Sequence, residues 1–184
     1  MSLSIAVIIG SLRRESFNRA LAEALVRLPE GEGHDFTFAE IGDLPLYNQD
    51  HDGDQGEAVR RLKAQVRAAD GIVFVTPEYN RSIPGVLKNA IDHGSRPFGD
   101  SAWQGKPAGI LGVSPGQTGT AMAQQHLRNV LAGVDVRVLA LPEVFLQHRE
   151  GMFGEDGALV ERSAAFVGKW LAAFLAHAER HRAG

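Results

Sequence analysis

The chain contains no cysteine, which excludes disulfides, thiolate nucleophiles and cysteine-based zinc or iron–sulfur sites. It has no excess of one charge either: 19 basic residues stand against 22 acidic ones, a net of −3 at pH 7. The electrostatic footprint of a nucleic-acid binder is therefore missing. Charged residues are 22% of the chain and interspersed, unlike an acidic tail or a disordered segment. Long hydrophobic runs are also lacking. The longest, residues 170–176, falls far short of the roughly 20 residues that span a bilayer. The apolar run at 5–9 has no basic residue before it and is too short for the central region of a signal peptide. What is present is 184 residues, 44% of them hydrophobic, a domain-sized chain that buries roughly 70% of its unfolded surface without staples. The expectation is one domain over residues 1–184, cytoplasmic, with no nucleic-acid or membrane partner.

Short apolar runs alternate with longer segments of helical period. Residues 3–9 (LSIAVII) read as a strand that stops at Gly10, and Phe17, Leu21, Leu25 and Leu28 then recur at helical spacing up to Pro29. Residues 35–41 alternate around Phe36 and Phe38 and read as an edge strand. A helix over 58–69, a buried strand over 72–75 and a helix over 84–93 entered through Pro84 follow. A strand over 108–113, a helix over 118–131, a fifth strand over 134–141 and a long closing helix over 158–180 complete the pattern. Residues 42–56 and 142–157 are the longest irregular stretches and read as surface loops or lids. This alternation predicts a five-stranded parallel sheet in order 2-1-3-4-5 with helices on both faces, a flavodoxin-like three-layer sandwich. Strand order then reverses between strands 1 and 3, and the loops leaving those strands open a crevice.

The first of these loops, Gly10-Ser11-Leu12-Arg13-Arg14-Glu15-Ser16-Phe17-Asn18, is neither a Walker loop nor a dinucleotide fingerprint. It is a hydroxyl-rich, basic loop at a helix N-terminus, where free N–H groups and the helix dipole favour an anion. Ser11, Ser16 and Asn18 offer donors and Arg13 a charged fork, a set that suits a phosphate monoester; the plainer reading makes Ser16 an N-cap and the arginines solvated. The second loop, Thr76-Pro77-Glu78-Tyr79-Asn80-Arg81-Ser82-Ile83-Pro84-Gly85, is stiffened by its prolines. Its backbone N–H groups suit the edge of a flat heterocycle, Tyr79 offers a ring face, and Asn80 and Ser82 add donors. Ser82 is also a candidate N-cap for the helix near Pro84. A Gly/Ser loop, Ser114-Pro115-Gly116-Gln117-Thr118-Gly119, follows strand 4.

Gly10-Ser11-Leu12-Arg13 with Ser16 and Asn18, Pro77-Glu78-Tyr79-Asn80, and Pro84-Gly85-x-Leu87-Lys88-Asn89-Ala90-Ile91-Asp92 together resemble the NADPH-dependent FMN reductase family, the flavodoxin-like group of chromate, quinone and azo-dye reductases. The resemblance spans nearly the whole chain. It implies that Ser11, Arg13, Ser16, Phe17 and Asn18 belong to an FMN phosphate loop. It implies that Pro77, Glu78, Tyr79, Asn80 and Ser82 flank the isoalloxazine, with Ser114 and Gly116 on the other side of the ring. Arg81 falls where the family varies, and three roles stay open for it: a phosphate grip for NADPH, a substrate gate, or a solvated side chain. The implied function is an FMN-dependent NAD(P)H:acceptor oxidoreductase (FMN, quinone or chromate reductase type), with NADPH or NADH as donor, small-molecule acceptors and ping-pong hydride transfer through the flavin.

The alternative is a flavodoxin-type electron carrier without NAD(P)H turnover. The near-neutral charge and the arginines of the first loop count against it. The resemblance further implies a homodimer or homotetramer, with the Lys88, Asn89 and Asp92 stripe near the contact. Phe98, Trp103, Phe145, Leu146, Met152 and Phe153 are loop apolar residues that either fold back or meet a partner subunit. No metal site is expected: His177 and His181 share helical spacing but have no third ligand in sight.

Overall fold

In the computed structural model, which describes residues 2–182, six strands and five α-helices follow one another in the expected alternation, with two short 3-10 turns between them. Strands β1 (Ser4–Ile9), β3 (Gly71–Val75) and β4 (Pro107–Ser114) are central, and β2 (Asp35–Ala39) forms one edge. Helices α1 (Phe17–Leu25), α2 (Glu57–Ala68), α3 (Gly85–Gly94), α4 (Ala121–Ala132) and α5 (Glu161–His181) make the crossovers and the closing layer. The sheet is parallel throughout, in the order β2-β1-β3-β4-β5.

The two faces of the central strands bury two separate cores. Leu3, Ile5, Val7 and Ile9 of the β1 segment, with Val73, Val75, Leu111 and Val113, pack under α1 and α5. Ile8, Ile72, Phe74, Ala108 and Ile110 face the opposite way, under α2, α3 and α4. Alternate residues point to opposite faces, so strands covered on both sides read as unbroken apolar runs. At Gly109 an added Cβ would come within 2.6 Å of Trp170 and 2.8 Å of Phe174, whose rings stack with centroids 5.6 Å apart. The missing side chain is what lets α5 lie against the sheet.

The fifth strand differs from the expectation over 134–141. Only Arg137–Val138 (β5) pairs there, and a second piece, β6 (Val144–Gln147), lies within the stretch read as a loop. Ala108 pairs with both Ile72 and Val138, and Leu111 with both Val75 and Val144. Both pieces therefore run along the same edge of β4, one after the other. Pro142 lies between them and has no N–H to give to a ladder, and four residues carry too little periodicity to announce a strand.

The loop apolar residues divide. Trp103 is fully buried and donates its Nε1–H to the Ile91 carbonyl at 2.9 Å, and Met152 is also buried. Phe98 stands 95% exposed. Arg128 pairs with Glu143 within the chain at 3.5 Å, and Lys88 with Asp92 at 2.8 Å. Asn89 takes the Tyr47 N–H and donates to the Pro45 carbonyl, both at 2.8 Å, tying the 42–56 loop to α3. No helix among the described residues is long and apolar enough to cross a membrane.

Candidate active site

Between the end of β1 and the start of α1 the chain turns from the C-terminal end of a central strand onto the α1/α5 face. Ser16 makes that turn possible as the N-cap of α1: its backbone is extended (φ −77°, ψ 124°) and its Oγ accepts the Arg19 N–H at 3.3 Å. The first-turn N–H groups of Phe17 and Asn18 donate to no other group among the described residues. These orphan donors and the positive end of the helix dipole lie beside the buried hydroxyl side chains of Ser11 and Ser16. Arg13 spreads its guanidinium over the Phe17 ring, 5.1 Å from the centroid. Its pairing with Glu15 at 3.7 Å is solvent-exposed and worth little. Phe17 is held in turn by His148, the two rings 3.6 Å apart and 18° from parallel.

Asn18 serves the fold as well as the loop. Its Nδ2 donates to the Val113 carbonyl at 2.8 Å and its Oδ1 accepts the Val113 N–H at 3.0 Å, so α1 is clamped to β4 in the manner of a strand neighbour. One amide hydrogen is left for a ligand.

The second loop leaves β3 and closes on itself. Tyr79 N–H donates to the Ser82 carbonyl at 2.9 Å and Ser82 N–H to the Tyr79 carbonyl at 3.0 Å, around Asn80 (φ +53°) and Arg81 (φ +64°). Ser82 is not the cap of α3: that position is Pro84, which has no side-chain hydrogen bond. The Ser82 Oγ lies instead 2.7 Å from His126 Nδ1 on α4. Glu78 reaches the same helix, its Oε2 accepting the Ala123 N–H at 3.1 Å. The N-cap position of α4, Thr120, has a left-handed backbone and no side-chain cap, so the Glu78 carboxylate supplies the missing acceptor from another loop.

The topology brings these stretches together. Ser11, Arg13, Ser16, Phe17 and Asn18 form one wall of an open cleft of about 660 Å³, counted with the space at its mouth. Pro77, Glu78 and Tyr79 form another, and Val113, Ser114 and Pro115 the third. Ser114 Oγ accepts the Gly116 N–H at 3.0 Å and keeps its own proton to donate. Asn80, Arg81, Ser82 and Gly116 stand outside this lining. One end of the cleft thus gathers hydroxyls, free helix-start N–H groups and a guanidinium; the other is a slot between two proline-stiffened loops. Such a site can hold a phosphate ester at one end and a flat ring at the other.

Sequence reasoning missed Val113 and Pro115 in the lining, the Glu78–Ala123 and Ser82–His126 bonds and the His148 support. Their partners lie tens of residues away in sequence, and no local pattern marks them. The groups whose proton affinity is displaced lie elsewhere: Asp43 is held below the usual carboxylate range by its hydrogen bonds from Arg61, and burial pushes Lys106 down. No group of three or more His, Asp or Glu among the described residues is placed to hold a metal ion.

The family model described as NADPH-dependent FMN reductase matches residues 3–151. A 2-hydroxy-1,4-benzoquinone reductase from a Burkholderia species is 49% identical over 175 residues, covering 95% of this chain and 93% of its own. An NAD(P)H-dependent FMN reductase of Pseudomonas aeruginosa is 45% identical over 164 residues, covering 88% and 87%. Among solved structures, the flavoenzyme NAD(P)H:(acceptor) oxidoreductase FerB from Paracoccus denitrificans superposes with a TM-score of 0.93 at 40% identity, over 98% of this chain and all of that one.

Proposed function

We propose, for a chain that belongs to the NADPH-dependent FMN reductase family, that the cleft between the first turn of α1 and the Pro77–Tyr79 stretch is its FMN site. The protein is an FMN-dependent NAD(P)H:acceptor oxidoreductase that reduces small molecules, quinones among them. The observation that supports the site is the convergence of three loops, two of them almost seventy residues apart, on one cleft with an anion-binding end and a planar end.

The residues present fit the cofactor. The free N–H groups of Phe17 and Asn18, the Ser11 and Ser16 hydroxyls and Arg13 suit a phosphate monoester. Pro77 to Tyr79 and Ser114 to Pro115 suit the two sides of a flat tricycle. Bound FMN supplies the chemistry, accepting hydride from NAD(P)H and passing it to the acceptor in ping-pong order. The protein's share is placement. Glu78 and Ser82 fix the ring-flanking loop to α4, Asn18 fixes the phosphate loop to β4, and the open mouth admits donor and acceptor in turn. Asn80, Ser82 and Gly116 act next to the lining rather than within it, holding the turns that shape the slot. The 184 residues act as one FMN-binding domain in the cytoplasm, as a homodimer or homotetramer. The alternative of a carrier without NAD(P)H turnover loses its footing in a chain whose relatives are reductases.

The test is to purify the protein, supply FMN, and titrate anaerobically with NADPH and NADH while recording the visible spectrum. A flavin-bearing protein bleached in one two-electron step, and recoloured by a benzoquinone, supports the reading. A protein that takes up no FMN overturns the site, and a stable blue semiquinone with negligible NADPH oxidation restores the carrier. Light scattering of the loaded protein decides between one, two and four copies.

A further inference from the structure

The tip of the ring-flanking loop carries an arginine where the backbone favours glycine. Asn80 and Arg81 are successive left-handed residues, at φ +53° and +64°, inside the reciprocal Tyr79–Ser82 hydrogen bonds. This is a two-residue type I′ turn, whose second position strongly prefers glycine. Asparagine tolerates the conformation; an unbranched cationic side chain costs backbone free energy there.

The turn has no freedom to relax. Its base is fastened to α4 twice, by the Glu78 carboxylate on the Ala123 N–H and by the Ser82 hydroxyl against His126. Positions 123 and 126 are three apart and share one face of the helix, so the two bonds act as a staple. The tip is thereby held at the lip of the cleft, two residues beyond Tyr79, which lines it. Arg81 is exposed, and among the described residues its guanidinium makes no ion pair or hydrogen bond. The arginine thus contributes nothing visible to the fold and is unfavourable for the turn that carries it. Strain retained in this way is a mark of a functional position.

An unpartnered guanidinium carried on a fastened loop recognises an anion, and phosphate above all. The FMN phosphate has its own site at the start of α1, in the other jaw of the cleft. A quinone acceptor carries no phosphate. The nicotinamide donor does. We propose that Arg81 binds a phosphate of the dinucleotide donor and is a specificity-determining residue of this enzyme. The inference rests on the reading of the cleft as the site where FMN meets NAD(P)H. Two phosphates share this chemistry: the 2′-phosphate found only in NADPH, and the pyrophosphate common to both donors.

The experiment compares FMN-loaded wild type, Arg81→Gly and Arg81→Lys by calorimetric titration with NADP+ and NAD+. Arg81→Gly is expected to weaken NADP+ at least tenfold, with Arg81→Lys in between because it keeps the charge but loses the fork. NAD+ affinity unchanged in Arg81→Gly assigns the 2′-phosphate; equal weakening of both assigns the pyrophosphate. Undiminished affinity for both nucleotides in Arg81→Gly overturns the proposal. Thermal unfolding is the control for folding: glycine relieves the left-handed backbone, so the midpoint is expected to hold or rise, and a clear fall would make the arginine structural and overturn the argument. Flavin uptake is measured separately. If the wild-type chain takes up no FMN, the cleft reading fails and this proposal fails with it; if flavin stays bound and nucleotide affinity is indifferent to Arg81, only the proposal fails.

Discussion

Ser16 carries two tasks that one substitution separates. It caps α1 through the Arg19 N–H, and its hydroxyl lies in the wall of the cleft where the FMN phosphate is proposed to bind. Aspartate caps helices as well as serine does, and a carboxylate at a helix start gains about 0.3–1 kcal/mol from the dipole. Ser16→Asp therefore keeps the apoprotein within about 0.5 kcal/mol of wild type. It also sets a negative charge beside the phosphate. Two unit charges ~4 Å apart interact by ~4 kcal/mol at an effective dielectric constant near 20. Water at the open cleft reduces this to about 2 kcal/mol, a roughly thirtyfold loss of FMN affinity. Riboflavin has the same ring and no phosphate, so its affinity is expected to change by no more than about twofold. The assay is quenching of flavin fluorescence on titration with apoprotein, run with FMN and riboflavin against wild type, Ser16→Asp and Ser16→Ala. Equal losses for the two flavins would mean that the substitution distorts the loop. Unchanged FMN affinity would move the phosphate elsewhere.

Three further substitutions test the frame around the site. Glu78→Ala removes the acceptor at the start of α4 and is expected to cost about 1 kcal/mol in urea unfolding, whereas Glu78→Gln keeps an acceptor and costs less. Glu78→Gln also takes a negative charge out of the cleft wall, so the midpoint potential of bound flavin is expected to rise in a redox titration. Gly109→Ala places a methyl group against Trp170 and Phe174 and is expected to destabilise by about 1–3 kcal/mol, read as a shift of the denaturation midpoint at unchanged slope. Asp100 is held below its ordinary value of 3.8 first by its hydrogen bond from Lys63, then by the charges of Lys63 and Arg67. A carboxyl depressed in the folded state stabilises above its unfolded value and loses that contribution as pH falls through the folded one. Asp100→Asn is thus expected to be less stable than wild type at pH 7, with the difference shrinking as pH falls below 3.8 in parallel urea titrations.

The strands that position the site were legible because each is covered on both faces. Residues 3–9, 72–75 and 108–113 read as continuous apolar runs, and the helices between them fixed the crossover order and hence the crevice. The N-cap at Ser16 was equally local, a hydroxyl one residue before an apolar period. The fifth strand was not. Its two pieces contain two and four residues, and what makes them strands is the unpaired edge of β4 alongside them, a partner that no short window contains. The boundary of α4 failed for a related reason: residues 118–120 carry a helical-looking pattern, but Gly119 and Thr120 are left-handed, and the helix starts only at Ala121.

The site itself was legible in its residues and not in how those residues divide their hydrogen bonds. Asn18, Glu78 and Ser82 each read as groups available to a ligand, yet each is engaged across 95, 45 and 44 residues of sequence. The engagements have different consequences. Asn18 retains one N–H, and Glu78 retains one carboxylate oxygen. Ser82 depends on its partner: if His126 carries its proton on Nδ1, Ser82 accepts and its hydroxyl proton is free; if the proton is on Nε2, Ser82 donates and has none to give. The phosphate end of the cleft therefore rests on Ser11, Ser16, Arg13 and the start of α1, groups that local sequence identifies. The ring end rests on backbone held in place by two distant side-chain bonds, from Glu78 and Ser82 to α4, while Asn18 holds the phosphate loop to β4. A variant at the phosphate end should be readable as lost contact, whereas one at Asn18, Glu78 or Ser82 displaces a loop and acts on flavin and nucleotide together.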